Sequence, residues 1–246
     1  MMPRAVTREV LDHLAPDDPA AGRSRRDLVR IHRVMGTRSI LARGWRGLVS
    51  PQRAGAPMRI LELGTGDGSV LLGVARSLAC GWPHVQIGLM DRLDIISPAT
   101  LAGFAELGWV AQVLVDDVLA WAAQPHDAVP GIPSPRWDLI TTTLFLHHFE
   151  GEALDMLLAA AAARSDRFFA CEPRRSWLAL AGSHLVGAIG ANAVTREDAV
   201  LSVRAGFERD EISGRWPRAD GHWQMQEHAA GLFSHCFSAR RAGVAG

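Results

Sequence analysis

Two residue types are missing from this chain. Its 246 residues include 26 basic side chains, all of them arginine, and tyrosine is absent. Without lysine the chain cannot form a Schiff base or supply the lysine of a P-loop or a kinase. Without tyrosine it has no phenolic acid, base or nucleophile. These absences exclude whole classes of enzyme chemistry, even if coding composition is their cause.

Cysteine and long apolar segments are also scarce. Cys80, Cys171 and Cys236 are widely spaced and form no CxxC pair, which argues against a zinc framework or a disulfide scaffold. The N-terminus lacks the apolar segment of a signal peptide. The longest stretch without Asp, Glu or Arg, 176–195, is interrupted by three glycines. We therefore expect a soluble, cytoplasmic protein without stable membrane insertion.

Charge is balanced overall but unevenly distributed. The net charge is zero, yet residues 1–57 carry eleven arginines and five acids, whereas 58–246 carry fifteen arginines and 21 acids. A neutral chain argues against a dedicated nucleic-acid binder. A basic segment either meets an anionic partner or pairs with an acidic body, and we favour the second interpretation.

The sequence pattern of the first 57 residues predicts an N-terminal helical cap. Helices are predicted at 5–14 and at 24–48, and Ser24 is a plausible N-cap of the second one. The loop-like composition of Ser50–Pro57 places a boundary there.

From residue 58 onward, short apolar runs alternate with helical segments. This alternation predicts an α/β fold with a parallel, doubly wound sheet and helices on both faces. The predicted strands are Met58–Leu63, Val85–Met90, Ala111–Val115, Trp137–Thr142, Arg167–Cys171, Phe207–Ile212 and Leu232–Ala239. The predicted helices are Ser69–Ala79, Pro98–Leu107, Val118–Ala123, Glu152–Arg164, Trp177–Ile189 and Arg196–Ala205. Because such sheets bind ligands at the carboxyl ends of their strands, the site residues are expected there.

A glycine-rich turn follows the first predicted strand. It reads Glu62-Leu63-Gly64-Thr65-Gly66-Asp67-Gly68, a GxGxG pattern. Glycines allow a tight turn and a close approach to a ligand, and the next helix presents free N–H groups. A dinucleotide loop would need glycine at position 69, where the chain has serine.

Acidic residues follow the next two strands. A carboxylate at Asp91 can accept hydrogen bonds from both hydroxyls of a ribose, with Asp94 as a competitor. After the third strand, Asp116 or Asp117 can accept the exocyclic amine of adenine. Two adjacent side chains cannot both point into one pocket, so one should cap the next helix. We favour Asp117 as the ligand contact. The three strand ends together describe an adenosine site without a pyrophosphate.

Residues 58–240 resemble the class I S-adenosylmethionine (SAM) dependent methyltransferases, on the strength of these motifs. The segments Trp137-Asp138-Leu139-Ile140 and Leu146-His147-His148-Phe149 are similar to the small-molecule branch, and Arg204-Ala205-Gly206-Phe207 resembles the turn before its sixth strand. The resemblance implies a Rossmann-like seven-stranded sheet of order 3-2-1-4-5-7-6, with strand 7 antiparallel. It implies SAM as cofactor and S-adenosylhomocysteine as product. The cofactor contacts that it implies are Glu62, Gly64, Thr65, Gly66, Gly68, Asp91, Asp116, Asp117, Val118 and Thr143.

The acceptor is less closely defined. Ser24–Leu28, Met35-Gly36 and Phe233–Phe237 resemble bacterial methyltransferases of polyketide, phenolic-lipid and quinone pathways. This looser resemblance implies a small phenolic, quinone or polyketide-like acceptor, with O-methylation favoured over C-methylation. No nucleic-acid partner is expected, and a homodimer is left open.

The candidate catalytic residues are His147 and His148, because a histidine can take the proton of a phenol near neutral pH. A structural role is the alternative for His148. Glu172 could orient the substrate or cap a helix. Methyl transfer requires no metal, and we predict none. Further candidates for the acceptor pocket, each with a core or surface role as the alternative, are Trp45, Trp177, Trp216, Trp223, His222, His235, Arg38 and Arg43.

Three other functions remain open at this stage. The basic first segment is the only support for an RNA or protein methyltransferase. A nicotinamide or flavin oxidoreductase would need a variant of the glycine loop. A SAM-binding protein without catalysis is also compatible with the motifs.

Overall fold

The computed structural model describes residues 2–15, 17–49, 57–125, 136–218 and 222–243. The predicted loop at Ser50–Pro57 lies outside the described residues apart from Pro57. None of the helices in these ranges combines the length and the apolar character that a bilayer span requires.

Seven strands form one mixed sheet in the order β3-β2-β1-β4-β5-β7-β6. They are β1 Met58–Leu63, β2 Val85–Asp91, β3 Trp109–Val115, β4 Leu139–Thr143, β5 Arg167–Pro173, β6 Trp223–Ala230 and β7 Ser234–Arg241. Strands β1 to β5 are parallel, and β7 is antiparallel to both of its neighbours. The predicted fold class, strand order and antiparallel seventh strand are confirmed.

Helices cover both faces of this sheet. They are α1 Pro19–Met35, α2 Thr37–Leu48, α3 Ser69–Leu78, α4 Pro98–Glu106, α5 Val118–Ala123, α6 Gly151–Arg164, α7 Trp177–His184 and α8 Ala193–Ala205. Short 3-10 turns occur at Val10–His13, Leu146–His148 and Val186–Ile189. The predicted helix Trp177–Ile189 is therefore α7 followed by a 3-10 turn.

Side chains of the central strands alternate between two apolar cores. Ile60 packs in a core with α2, α3 and α4, whereas its neighbour Leu61 packs on the other face with α6. Both residues are completely buried. Successive side chains of a strand point to opposite faces, so a strand covered on both sides is apolar throughout. This explains why β1 was easy to predict.

Helix α2 belongs to the core of the sheet. Trp45 is buried there and stacks on Trp82, with ring centroids 6.2 Å apart. At Gly44 a Cβ atom would lie 2.3 Å from the ring of Phe169, so only glycine allows this close approach to β5. Trp45 is thus a core residue, and not a lining residue of an acceptor pocket. The domain boundary after residue 57 stays a prediction.

Two predictions for the N-terminal segment are wrong. The helix predicted at 5–14 is extended chain with one 3-10 turn, Val10–His13. The helix predicted at 24–48 is two helices that meet at Gly36, whose φ of 69° lies in the left-handed region. The N-cap is Asp18, which accepts from the N–H of Ala20, and Ser24 lies inside α1.

The strand predicted at Phe207–Ile212 is also wrong, and the sixth strand lies further along the chain. Phe207 makes only an isolated bridge with Arg174, and the segment that follows forms turns. The carboxylate of Glu227 in β6 accepts from the N–H groups of Ile212 and Ser213. These two backbone donors are therefore satisfied without a partner strand. The turn inferred at 204–207 therefore does not lead directly into the sixth strand.

Candidate functional site

The loop after β1 is built around three left-handed glycines. Gly64, Gly66 and Gly68 have φ values of 73°, 58° and 72°, which side-chain-bearing residues rarely adopt. A Cβ atom at Gly64 would lie 2.1 Å from the ring of Phe145, whereas one at Gly66 would have no atom within 4 Å. Glycine is thus required at 64 by packing as well as by backbone shape, and the loop is open at 66.

Asp91 connects this loop to the end of β2. Its Oδ2 accepts from the N–H of Gly66 at 2.8 Å, and its Oδ1 accepts from the N–H of Leu93 at 3.0 Å. The side chain is half-buried, and a carboxylate has lone pairs for further donors. The structure therefore brings the predicted ribose acid and the glycine loop together.

The two acids after β3 make different contacts. Asp117 caps α5, because its Oδ1 accepts from the N–H groups of Leu119 at 2.8 Å and Ala120 at 3.1 Å. Asp116 is half-buried, and its Oδ1 accepts from the N–H of Asp117 at 2.8 Å. Val118 starts the helix and is buried. Capping thus occupies one oxygen of Asp117, the residue that was favoured as the ligand contact.

Two buried hydroxyl oxygens at this edge, Thr65 Oγ1 and Ser69 Oγ, lack partners among the described residues. The Glu62 carboxyl is also buried, beside the hydroxyls of Thr141 and Thr143 in β4. Burial raises the pKa of Glu62 to about 8, so its carboxyl is protonated at neutral pH. Buried polar groups without partners are uncommon in folded proteins. The two unpartnered hydroxyls, at the glycine loop and the start of α3, therefore indicate a place for a polar ligand.

Glu172 organises the turn after β4. This completely buried carboxylate accepts from the N–H groups of Phe145, Leu146 and His147. Its Oε2 also lies 2.9 Å from Nδ1 of the His147 ring. One acid at the end of β5 thus holds both the backbone of the turn and the orientation of the imidazole, whereas the helix after β5 is capped by Ser176.

An N-terminal strap, which we define as residues 2–14, crosses this part of the edge. Glu9 Oε1 lies 3.3 Å from Nε2 of His147, and it also accepts from the hydroxyl of Ser202. Arg4 donates to the carbonyl oxygens of Phe149 and Ala205, each at 2.8 Å. Sequence analysis missed Glu9 because nothing in the local pattern signals a partner 138 residues away.

The two histidines have different electrostatic environments. Burial disfavours the imidazolium of His147, but hydrogen bonds to Glu172 and Glu9 outweigh it and raise its pKa to about 9. His148 is half-buried, and burial together with the charge of His147 lowers its pKa. The ring centroids lie 4.2 Å apart, and Nδ1 of His148 is 3.7 Å from a carboxylate oxygen of Asp12.

A separate cleft of about 680 Å³ lies at the carboxyl ends of β5 and β6. Trp177 at its border is 71% exposed, whereas Trp216 is buried in the core. His235 also lines the cleft, but it is buried and bonded to Glu227 at 2.9 Å.

His222 is exposed and lies outside the lining of this cleft. Trp223 is half-buried against the ring of Trp216 and the side chain of Arg241 and is not part of this lining. Trp177 is therefore the tryptophan at the border of the cleft that is exposed to a ligand.

Comparisons with solved structures agree with the sheet topology. The plantazolicin methyltransferase BamL, in complex with a desmethyl substrate analogue and SAH, superposes with a TM-score of 0.58 at 13% identity. The match covers 94% of this chain and 92% of BamL. The pyocyanin biosynthetic protein PhzM gives 0.56 at 16% identity, and the mitomycin 7-O-methyltransferase MmcR gives 0.54 at 14%.

The last two matches cover 96% and 94% of this chain but only 62% and 60% of the other proteins, so the chain spans under two thirds of their length. No protein-family model and no curated protein sequence matches this chain. At such low identity the likenesses establish the fold. This chain has the Rossmann-like fold of these three proteins.

Proposed function

We propose that this chain is a SAM-dependent methyltransferase that acts on a small-molecule acceptor. The observation that carries the proposal is the glycine loop bonded to Asp91 and bordered by unpartnered buried polar atoms, in a fold shared with solved methyltransferases. The GxGxG spacing and the missing lysine argue against a dinucleotide or a P-loop ligand at the same place.

The cofactor would be held by residues from four strand ends. Asp91 would accept from the ribose, and Asp116 or Asp117 would face the adenine amine beside Val118. The loop Gly64, Thr65, Gly66 and Gly68 would follow the chain of the cofactor, with Glu62 and Thr143 beneath it. The Glu62 carboxyl is protonated at neutral pH, and a cationic group of the cofactor would favour its ionised form.

When bound, SAM would supply a methyl group that is already electrophilic, so the protein mainly positions the acceptor and removes a proton where needed. His147 is the better placed of the two histidines for that task, because Glu172 fixes its ring through Nδ1. Its Nε2 is the atom that would take the proton, but with Glu9 against that atom the pKa of about 9 leaves the imidazole already protonated at neutral pH. Opening of the N-terminal strap would therefore have to remove Glu9, lower that pKa and free Nε2 before the acceptor binds.

We further propose a phenolic, quinone or polyketide-like acceptor, with transfer to oxygen favoured over carbon. BamL and MmcR, with which the fold is shared, are described as a plantazolicin methyltransferase and a mitomycin 7-O-methyltransferase. The exposed indole of Trp177 beside the cleft offers a flat surface on which an aromatic acceptor can stack.

Calorimetry with SAM and SAH tests the cofactor. We expect binding in the micromolar range, and Asp91→Ala should weaken it at least tenfold because the acid orders the loop as well as contacting the ribose. Asp94→Asn is the matched control, since Asp94 is exposed and lies three residues further on. Absence of binding to the wild-type chain, or equal binding by Asp91→Ala, would reject the proposal.

The acceptor class needs its own experiment. Wild-type protein with methyl-labelled SAM should transfer label to phenols or quinone precursors. Transfer to RNA or to a protein instead would overturn the acceptor assignment while leaving the cofactor assignment intact.

A further inference from the structure

We propose that Glu9, His147 and His148 bind one divalent transition-metal ion, with zinc as the preferred ion. One ligand atom from each of these side chains lies within 4.8 Å of the other two. Glu9 comes from the N-terminal strap, and the two histidines come from the turn after β4. The fold alone therefore brings a Glu-His-His set together from opposite parts of the sequence. Only the role of the ion rests on the proposed function.

The spacing of the donor atoms suits a tetrahedral ion. Zinc bonds to imidazole nitrogen and carboxylate oxygen are about 2.0–2.2 Å long, so two ligands of a tetrahedron lie about 3.3 Å apart. His147 Nε2 and Glu9 Oε1 are 3.3 Å apart. His148 offers a ligand atom within 4.8 Å of the other two, so its half-buried ring would turn to complete the set.

A carboxylate outside the set already orients the principal ligand. Glu172 Oε2 lies 2.9 Å from His147 Nδ1, and Glu172 is itself fixed by three backbone N–H groups. Histidines that bind metals characteristically donate their second ring N–H to a carboxylate, which fixes the tautomer and leaves the other nitrogen for the ion. The arrangement at His147 follows this pattern, with Nε2 directed at Glu9.

The charges around the set also favour a cation. Glu9 and Glu172 flank His147, and Asp12 approaches His148 from the same strap. Of the arginines near these acids, Arg92 pairs with Asp12, while Arg4 is bonded to backbone carbonyls. Two imidazoles with one carboxylate suit zinc, iron or cobalt better than magnesium or calcium, which prefer oxygen ligands.

The ion would have two consequences. It would cross-link the N-terminal strap to the turn after β4. With three protein ligands it would keep a fourth position for water or for an acceptor oxygen, whose proton it would acidify. In that case His147 and His148 would act on the acceptor through the metal, and neither would be the base.

Metal binding is measured directly on the full-length protein without a histidine tag. The background is Cys80→Ser, because Cys80 is an exposed thiol that could bind zinc elsewhere. After removal of metal with a chelator, ZnCl₂ is titrated in a calorimeter, and CoCl₂ is followed by its visible absorption. We expect one equivalent of each ion and a cobalt spectrum of tetrahedral type. Glu9→Gln and His148→Gln should each weaken binding at least tenfold. His13→Gln should have no effect on binding, because His13 is an exposed histidine at the end of the 3-10 turn Val10–His13 that follows Glu9.

Hydrogen exchange gives a second readout that does not depend on activity. Zinc should slow exchange in the strap peptide 4–14 of the parent protein but not of Glu9→Gln. If no ion binds stoichiometrically, or if Glu9→Gln and His148→Gln bind like the parent, the cluster is a hydrogen-bonded ion pair only and the inference is wrong. Calorimetry with SAM on the same metal-free protein separates this failure from failure of the methyltransferase proposal.

Discussion

The two halves of the carboxyl edge are assembled in different ways. At the ends of β1, β2 and β3, the glycine loop and the acids lie next to the strands that carry them, and their hydrogen bonds run mainly to nearby backbone N–H groups. At the ends of β4 and β5, His147 is held between Glu172 and Glu9, which belong to distant segments. These bonds of the first half join residues no more than 25 positions apart in the sequence. The second half exists only when the whole chain is folded.

The largest effect is expected where the two halves touch. Gly64→Ala introduces a Cβ atom at a left-handed backbone position and 2.1 Å from Phe145, so we expect a loss of about 4 kcal/mol in the free energy of unfolding. Gly66→Ala is the control: the backbone is also left-handed, but the space is open, and about 1 kcal/mol should be lost. Urea denaturation measures both. Equal losses would mean that Phe145 moves aside freely.

A smaller loss is expected in the second half alone. Glu172→Gln replaces a carboxylate that accepts from three N–H groups with an amide that can present its own NH₂ to them, which should cost about 3 kcal/mol. Glu152→Gln, at an exposed position on α6, should be neutral. Thermal unfolding followed by circular dichroism compares them. If Glu172→Gln leaves the thermal stability unchanged, the turn after β4 keeps its structure without this carboxylate.

In the first half, the next expected effect concerns the protonation of Glu62. Its pKa near 8 in the folded protein lies above the unfolded value of 4.5, so its contribution to stability is lost as pH rises from about 4.5 through 8. If a cationic cofactor group binds beside it, the carboxyl should ionise and release up to about 0.9 proton per SAM at pH 7. Calorimetry in two buffers of different ionisation enthalpy counts this proton. Glu62→Gln should abolish the release, and an unchanged count would assign the proton to another group.

The smallest effect concerns the N-terminal strap. Arg4→Ala removes three hydrogen bonds to carbonyls, one of them long, and a contact with the ring of Phe207, and should cost about 1 kcal/mol. Hydrogen exchange in peptide 4–14 should accelerate while SAM affinity stays unchanged. Arg8→Ala is the control for hydrogen exchange and for SAM affinity, because Arg8 is exposed. A fall in SAM affinity in Arg4→Ala would show that the two halves of the edge are coupled.

This contrast also explains what the sequence could predict. β1 and α5 followed from apolar runs and a local glycine signature, since neighbours in sequence determine them. The strand order followed from the resemblance to the methyltransferase family. Whether Asp116 or Asp117 caps α5 depends on the backbone conformation at that position, which the amino-acid composition does not determine. β6 was missed because it is an edge strand rich in Gln, Glu and His, whose outward side chains look like those of a loop. Glu9 was invisible because its partners lie beyond any local window.

The close packing of α2 on β5 has a consequence for synthesis. Phe169 sits against Gly44, and Arg167 donates to the carbonyl of Leu48 at 2.9 Å, so α2 needs a strand made about 120 residues later. At typical translation rates of about 5–20 residues per second, that interval is about 6–24 seconds. During it, the side of α2 that carries Gly44 has no β5 to cover it, although β1 and Trp82 are made early in that interval. The nascent chain therefore presents a partly covered apolar helix on the ribosome, a surface that a chaperone for emerging chains could bind.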